Sequence, residues 1–327
     1  MQKKSLQIKS LKLTSPVILA PMAGISNLPY RRIMKSFGAG LVYTEMVSAN
    51  GMIREGKKTR QLLESHASEF PLGIQLFGDD PEVLGEAAQL IADAGALLDI
   101  NMGCPVKKVI RSGAGSALLR SPERVKRIIG TVRRAYSGPL TIKIRSGWDE
   151  ESINFLTIGR IAEAEGADAL TLHPRTRSQA FTGQAHWELI GELKKTVSIP
   201  VFGSGDITTP EEARKMFSET GCDAVMIGRG GYGNPWLIEQ INQLLANQPV
   251  LQPGVTEKLR VALLHLQYHQ DLFGDRKTVL DMRKHLCWYA RGLQGASQFR
   301  KELQQCDCLT NVIRLTEAFF TQTEEAA

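Results

Sequence analysis

Gly166-Ala167-Asp168-Ala169-Leu170-Thr171-Leu172 and, further along the chain, Gly221-Cys222-Asp223-Ala224-Val225-Met226-Ile227 are near copies of one another. Each opens with a glycine at a point where a helix must stop, because glycine reaches the left-handed conformation without strain. Each then runs into a short apolar stretch that reads as a buried strand. The pair is the echo of a repeated unit: helix, glycine stop, strand.

Working outward from that pair, the same kind of strand recurs along the chain. Earlier ones are Val17–Ala20, Leu41–Thr44, Leu72–Leu76, Leu97–Ile100 and Thr141–Ile144; Ala169–Leu172, Pro200–Phe202 and Ala224–Ile227 follow. Gly38 and Gly95 are further helix stops. Asp80-Pro81-Glu82, Ser121-Pro122-Glu123 and Thr209-Pro210-Glu211 each set an N-cap before a proline at the first helical position. Eight strands alternating with helices imply parallel pairing through right-handed crossovers. The count of eight favours a closed TIM (β/α)8 barrel over the runner-up, an open doubly wound sheet. From about residue 250 the strands cease. Pro253-Gly254 marks a junction, and Val279, Met282, Leu286 and Ala290 recur at helical spacing with one buried face. The expected organisation is an α/β barrel over residues 1–250 and an all-α helical domain over 251–327.

The chain of 327 residues is 43% hydrophobic and 23% charged, ordinary for a globular protein, so no argument for disorder arises. No apolar run reaches the ~20 residues of a membrane span. The N-terminus, Met1-Gln2-Lys3-Lys4-Ser5, is charged and lacks the apolar core of a signal peptide. The cysteines (104, 222, 287, 306 and 308) are odd in number and scattered, which argues against a disulfide framework and for a reducing cytoplasm. Cys306-x-Cys308 has no second pair at zinc spacing and reads as two helix cysteines, so no metal is expected. Monomer is the default.

The net charge is +6. Residues 104–148 hold eleven Lys or Arg against one acid, Glu123. Such an excess points to an anionic partner, although a solvated helix face would look the same. In the tail, Lys277, Lys284 and Arg291 are seven apart, with Arg276 and Arg283 beside them, and form a basic stripe.

In barrels of this kind the active site lies at the C-terminal ends of the strands. Glu45, Gln75, Asn101, Lys143, Arg145, His173, Asp206 and Arg229 all fall there. Lys143 stands between Ile142 and Ile144, so alternation sends it into the barrel mouth. A buried ammonium needs a partner, either a structural carboxylate or an anionic cofactor. The last two loops, Gly203-Ser204-Gly205-Asp206 and Gly228-Arg229-Gly230-Gly231, are glycine-rich and form the usual phosphate site of this fold. Gly228-x-Gly230-x-x-Gly233 also matches a dinucleotide fingerprint. It follows the last strand, with no partner acid ~20 residues on, so a mononucleotide phosphate such as that of FMN suits it better. Cys104, just past the fourth strand, can act as nucleophile or acid, and with an ordinary thiol pKa near ~8.5 it would be mostly protonated.

These same residues carry a family likeness. Ala20-Pro21-Met22-Ala23-Gly24, Asp99-Ile100-Asn101-Met102-Gly103-Cys104-Pro105, Lys107-Lys108 and Gly113–Leu119 resemble the tRNA-dihydrouridine synthases, most nearly their bacterial B-type branch. Lys143–Trp148, His173–Arg177, Ser204–Ile207, Ile227–Gly230 and Arg283-Lys284-His285…Trp288-Tyr289 extend the resemblance from about residue 8 to 320. It implies FMN in the barrel, NADPH as reductant, and a helical domain that holds tRNA. Carried over, Pro21, Met22 and Ala23 would line the flavin, and Gln75 and Lys143 would meet the isoalloxazine edge. His173, Ser204, Gly205, Asp206, Gly228 and Arg229 would hold the ribityl chain and phosphate. Asn101, Arg145, Lys277, Arg283, Lys284 and Arg291 would meet the RNA, and Cys104 would protonate uracil C5 as hydride reaches C6. Ser204 replaces a common Asn of the family and Pro174 a common Gly, both beside the cofactor loops. The alternatives are an FMN barrel acting on a free pyrimidine or small enone, and a catalytically silent tRNA-binding protein. The basic excess and helical tail argue against the first, and Cys104 with Lys143 against the second.

Overall fold

The computed structural model describes residues 6–325. Met1–Ser5, on which the reading of the N-terminus rests, lies outside the described residues. The barrel strands are β1 (Val17–Leu19), β2 (Val42–Tyr43), β3 (Leu72–Phe77), β4 (Leu97–Met102), β5 (Leu140–Arg145), β6 (Ala169–His173), β7 (Val201–Ser204) and β8 (Ala224–Ile227). Every pair is parallel, in the order β1-β8-β7-β6-β5-β4-β3-β2. The ring closes where Ile18 bridges Leu41 and the Leu19 N–H donates to the Leu41 carbonyl at 2.9 Å. The closed barrel predicted from the eight runs is therefore the fold.

Two short elements escaped the sequence reading. Leu6–Ile8 and Leu11–Leu13 form an antiparallel hairpin, and Val47–Ser48 adds a short parallel strand beside β3. The hairpin has three residues a side and turns through Lys9, at φ 52°, without the glycine or asparagine that marks such turns. Its Leu6, Ile8 and Leu13 pack with the inward residues Ile18, Leu41, Leu97, Phe202 and Ala224, closing the lower end of the barrel with apolar side chains.

The caps follow the sequence with two exceptions. Asp80 accepts the N–H groups of Glu82 and Val83 to start the helix Pro81–Leu90, and Thr209 with Glu212 forms a capping box for Pro210–Thr220. Ser121 precedes the helix Pro122–Ala135 but makes no side-chain cap bond. Gly38, Gly166 and Gly221 are left-handed stops. Gly95 serves a different purpose: a Cβ there would lie 2.9 Å from the Leu72 carbonyl oxygen, so it lets the chain pass close to β3.

Beyond the barrel come four helices: α1 (Val255–Phe273), α2 (Asp275–Tyr289), α3 (Ala296–Gln305) and α4 (Leu309–Glu325). Val279, Met282, Leu286 and Ala290 are buried together with Val261, Leu266, Phe299 and Val312, and the same core takes in Ile33 and Trp236 from the barrel's helices. Cys306 and Cys308 lie in the link between α3 and α4 and not within a helix, because α3 ends at Gln305. Among the described residues no helix is long and apolar enough to cross a membrane.

Candidate active site

Register decides which side chains meet. Asn101 pairs with Lys143 and Lys143 with Thr171, while one layer higher Arg145 pairs with His173. Partners in a parallel register share a face, and Ile142 and Ile144 belong to the apolar layer under the helices. Thr141, Lys143 and Arg145 therefore point into the barrel, with Lys143 at its mouth.

The floor of the mouth is a fully ordered polar chain. Gln75 Nε2 donates to Asp99 Oδ2 (2.7 Å), Thr141 Oγ1 donates to Asp99 Oδ1 (2.6 Å), and Asn101 Nδ2 donates to Gln75 Oε1 (2.9 Å). Asn101 Oδ1 then accepts the backbone N–H groups of Gly103 (3.2 Å) and Cys104 (2.9 Å). Accepting from both Gln75 and Thr141, Asp99 sets which way the Gln75 amide points, and Gln75 in turn sets Asn101. Burial pushes the Asp99 carboxyl up to about 7, against the pull of its Thr141 and Gln75 hydrogen bonds and of Lys143.

Cys104 follows β4, buried, with its carbonyl accepting the N–H (3.1 Å) and hydroxyl (2.9 Å) of Ser116. Gly115, at φ 62°, lets that loop close, since a Cβ there would sit 2.9 Å from the Cys104 oxygen. Burial raises the thiol above its ordinary value, opposed by a backbone hydrogen bond at Val106 and by Arg145 and Lys143. The thiol is thus held protonated beside two cations. Lys143 itself is lowered to about 8 by burial and by Arg145.

Four cations face this space, and they are not equivalent. Arg145 is buried and holds the loops: its Nε donates to the Gly103 carbonyl (2.9 Å), and its Nη1 donates to those of Thr176 (2.9 Å) and Ala180 (2.7 Å). Arg175, also buried, forks onto Asp206, Nη1 to Oδ1 at 2.9 Å and Nη2 to Oδ2 at 2.6 Å. Arg229 is half-exposed, 3.8 Å from Asp206, with its guanidinium 4.7 Å from the Phe181 ring. Lys143 makes no hydrogen bond or ion pair among the described residues. Sequence reasoning left Arg175 out of the site. Its signal was the Arg175-Thr176-Arg177 stretch after His173, but nothing in the spacing says that it would hold Asp206.

His173 stands among these cations. Burial, then Lys143, Arg145, Arg175 and Arg229, hold its imidazole well below the ordinary value, so it is neutral. Its Nε2 is buried without a hydrogen-bond partner, as is the hydroxyl of Thr171 below it. Gly205, at φ 127°, passes against its ring: a Cβ there would lie 3.2 Å from Nδ1. Opposite, the Met22 sulfur lies 3.9 Å from where a Cβ of Gly228 would be. Pro21, Met22, Ala23, Ser204, Gly205, Gly228 and Arg229 thus all stand at the upper ends of β1, β7 and β8. The Asp206 carboxylate, however, is taken up by Arg175 and by the Ala185 N–H (2.8 Å).

The residues matched to RNA are dispersed. Lys277 pairs with Asp281, and both line a cavity of about 200 Å³ with Gly24, Arg31, Glu45 and Phe273. Arg283 donates to the Cys306 carbonyl (2.6 Å) and Lys284 to that of Gly24 (2.6 Å). Arg291 is exposed but lies past the end of α2, so the three residues spaced by seven do not share one helix. The basic segment 104–148 divides as well. Lys107, Lys108 and Arg111 are exposed on a short helix beside Cys104, whereas Arg133 ties Gly138, Gly166 and Asp168 together at the lower end.

A closed parallel barrel with a protonated thiol, an unpaired imidazole and several cations gathered at its mouth has the architecture of a barrel enzyme. The chain matches the family model described as dihydrouridine synthase (Dus) over residues 18–324. It is 41% identical to the tRNA-dihydrouridine synthase B of Pasteurella multocida over 317 residues, 96% of each chain. To the tRNA-dihydrouridine synthase B of Pseudomonas aeruginosa it is 41% identical over 295 residues, 90% of this chain and 89% of the other. Among solved structures, an old yellow enzyme homologue from Zymomonas mobilis shares the fold at a TM-score of 0.50 and 12% identity, covering 78% of this chain and 95% of that one. A 2-naphthoyl-CoA reductase does so at 0.56 and 13%, covering 75% and 52%. The chain belongs to the dihydrouridine synthase family.

Proposed function

We propose that this enzyme reduces particular uridines of tRNA to 5,6-dihydrouridine in the cytoplasm, with FMN bound in the barrel mouth and NADPH as reductant. The observation that carries the reading is the conjunction at the mouth: the protonated Cys104 thiol and the unpaired His173 Nε2, both close to Lys143 and Arg145. In this reading residues 1–250 hold the flavin and 251–327 help to hold tRNA. A flavin fits the residues present. Its phosphate suits Arg229 and the Gly205 and Gly228 loops, and its ring edge suits the free Lys143 ammonium and the orphaned groups of His173 and Thr171.

When bound, the flavin supplies a hydride for uracil C6. The chain's own residues do the rest. Cys104 gives its proton to C5, breaking S–H as C–H forms, and Lys143 and Arg145 stabilise the thiolate left behind. Asn101 holds the Cys104 backbone and so fixes the position from which the thiol acts. A uridine inside folded tRNA must be splayed from its stack to reach this depth.

Cys104→Ala is the test. The variant should bind FMN and accept electrons from NADPH as wild type does, while reduction of tRNA falls about 10²–10⁴-fold. Near-normal turnover on tRNA would remove Cys104 from the reaction. Wild-type activity on free uridine equal to that on tRNA would remove the RNA.

A further inference from the structure

The second tail helix, α2, touches two of the loops that surround the flavin position, and it does so with the motif Arg283-Lys284-His285…Trp288-Tyr289. At one point Lys284 Nζ donates to the Gly24 carbonyl at 2.6 Å. Gly24, at φ 72°, ends the Pro21-Met22-Ala23 turn after β1, and its N–H donates to the Glu45 carboxylate after β2. One residue is therefore held on both sides, its N–H by a carboxylate and its carbonyl by an ammonium. At the other point Trp288 stacks on Tyr232, ring centroids 4.2 Å apart and 13° from parallel. A Cβ at Gly233 would lie 2.3 Å from the Trp288 carbonyl carbon, so the backbone of α2 rests directly on the loop after β8. Between the two points Tyr30 packs on His265 and His285 and donates its hydroxyl to the Gly231 carbonyl at 2.8 Å.

We infer that Lys284 is a positioning residue for the cofactor site and not a contact for RNA: it fastens the Pro21–Gly24 turn in the shape the flavin requires. The inference rests on the reading that FMN sits at the mouth. Gly24 is exposed, and among the described residues Lys284 makes the only hydrogen bond to its carbonyl. Without the ammonium the turn samples other shapes, and FMN binds only the fraction that is preformed, which weakens its apparent affinity by that fraction. A solvent-exposed charge-assisted hydrogen bond of this kind corresponds to a few-fold to tenfold effect at most.

The experiment compares wild type, Lys284→Met and Lys284→Arg as stripped apo-proteins, by FMN titration and by hydrogen exchange over residues 21–26 without flavin. Lys284→Met should raise the FMN Kd about three- to tenfold and speed exchange in that turn, with an unchanged melting temperature. Lys284→Arg, which still presents donors, should restore both to within about twofold. The salt slope of tRNA binding should stay at the wild-type value in Lys284→Met, whereas a lost phosphate contact would lower it by roughly 0.7–0.9. Unchanged turn exchange, or a lowered salt slope with unchanged FMN affinity, overturns the inference. Wild type that fails to bind FMN while the turn still loosens in Lys284→Met overturns the flavin reading instead and leaves the clamp standing as a clamp on the mouth.

Discussion

His173 at the barrel mouth and the pair His265 and His285 at the seam between barrel and tail are buried histidines with an unpaired ring nitrogen, and their surroundings are opposites. At the barrel mouth His173 is surrounded by Lys143, Arg145, Arg175 and Arg229. At the seam between barrel and tail, His265 and His285 meet edge to face, ring centroids 4.7 Å apart, among Tyr30, Trp288 and Tyr289. His265 Nε2, His285 Nδ1 and His173 Nε2 all lack a partner. Surplus positive charge makes the first site suited to an anion. The second is walled mainly by aromatic rings, with Lys284 as the nearby cation, so a neutral imidazole packs there and an imidazolium does not. An orphaned nitrogen therefore signals a ligand only when the charges around it do too.

Acid should break the comparison hardest at the seam. Burial lowers His265 to about 3 and His269 to about 4, and holds His285 well below the ordinary value, with Lys284 adding to each shift. For a histidine depressed in the fold, the unfolded chain binds more protons below its own pKa near ~6.5. Its stabilisation is complete above that pH and is lost as pH falls toward 3–4. Urea unfolding between pH 7 and 5 should show stability falling by up to about 1.4 kcal/mol per pH unit for each such histidine. His265→Gln with His285→Gln should flatten that slope, whatever it costs at pH 7. An equally steep slope in the double variant would move the acid weakness elsewhere.

A smaller effect separates the two basic regions. Lys107, Lys108 and Arg111 are exposed beside the mouth, whereas in the tail Lys277 is paired to Asp281 and Lys284 to a carbonyl. Each phosphate contact contributes roughly 0.7–0.9 to the salt slope of tRNA binding. Replacing the three mouth cations by Ala should flatten it by about two, and replacing Lys277, Lys284 and Arg291 by about one at most. The reverse order would show that the tail stripe grips the RNA despite its internal pairs.

The fold was legible because its signals are local and repeated: eight apolar runs, glycine stops and two working N-caps. The N-terminal hairpin was not, because three residues a side with a lysine turn leave no periodicity to detect. At the site, the alternation around Lys143 gave its direction correctly. What spacing could not give was the allocation of charges already used inside the chain. Arg145 on three carbonyls, Arg175 on Asp206 and Lys284 on Gly24 depend on contacts between loops far apart in sequence. A count of eleven cations over 104–148 likewise says nothing of Arg133, which is consumed at the opposite end of the barrel.

In the proposed function, the charge left over at the mouth receives the phosphate of a flavin mononucleotide. Titrating the apo-protein with FMN and with riboflavin, which lacks only that phosphate, tests it directly. FMN should bind about ten- to a hundredfold more tightly, the equivalent of a charge-assisted bond of roughly 1.5–3 kcal/mol. Arg229→Ala should cost FMN about that factor and leave riboflavin unchanged. Equal affinities for the two ligands, or equal losses in the variant, would contradict the account.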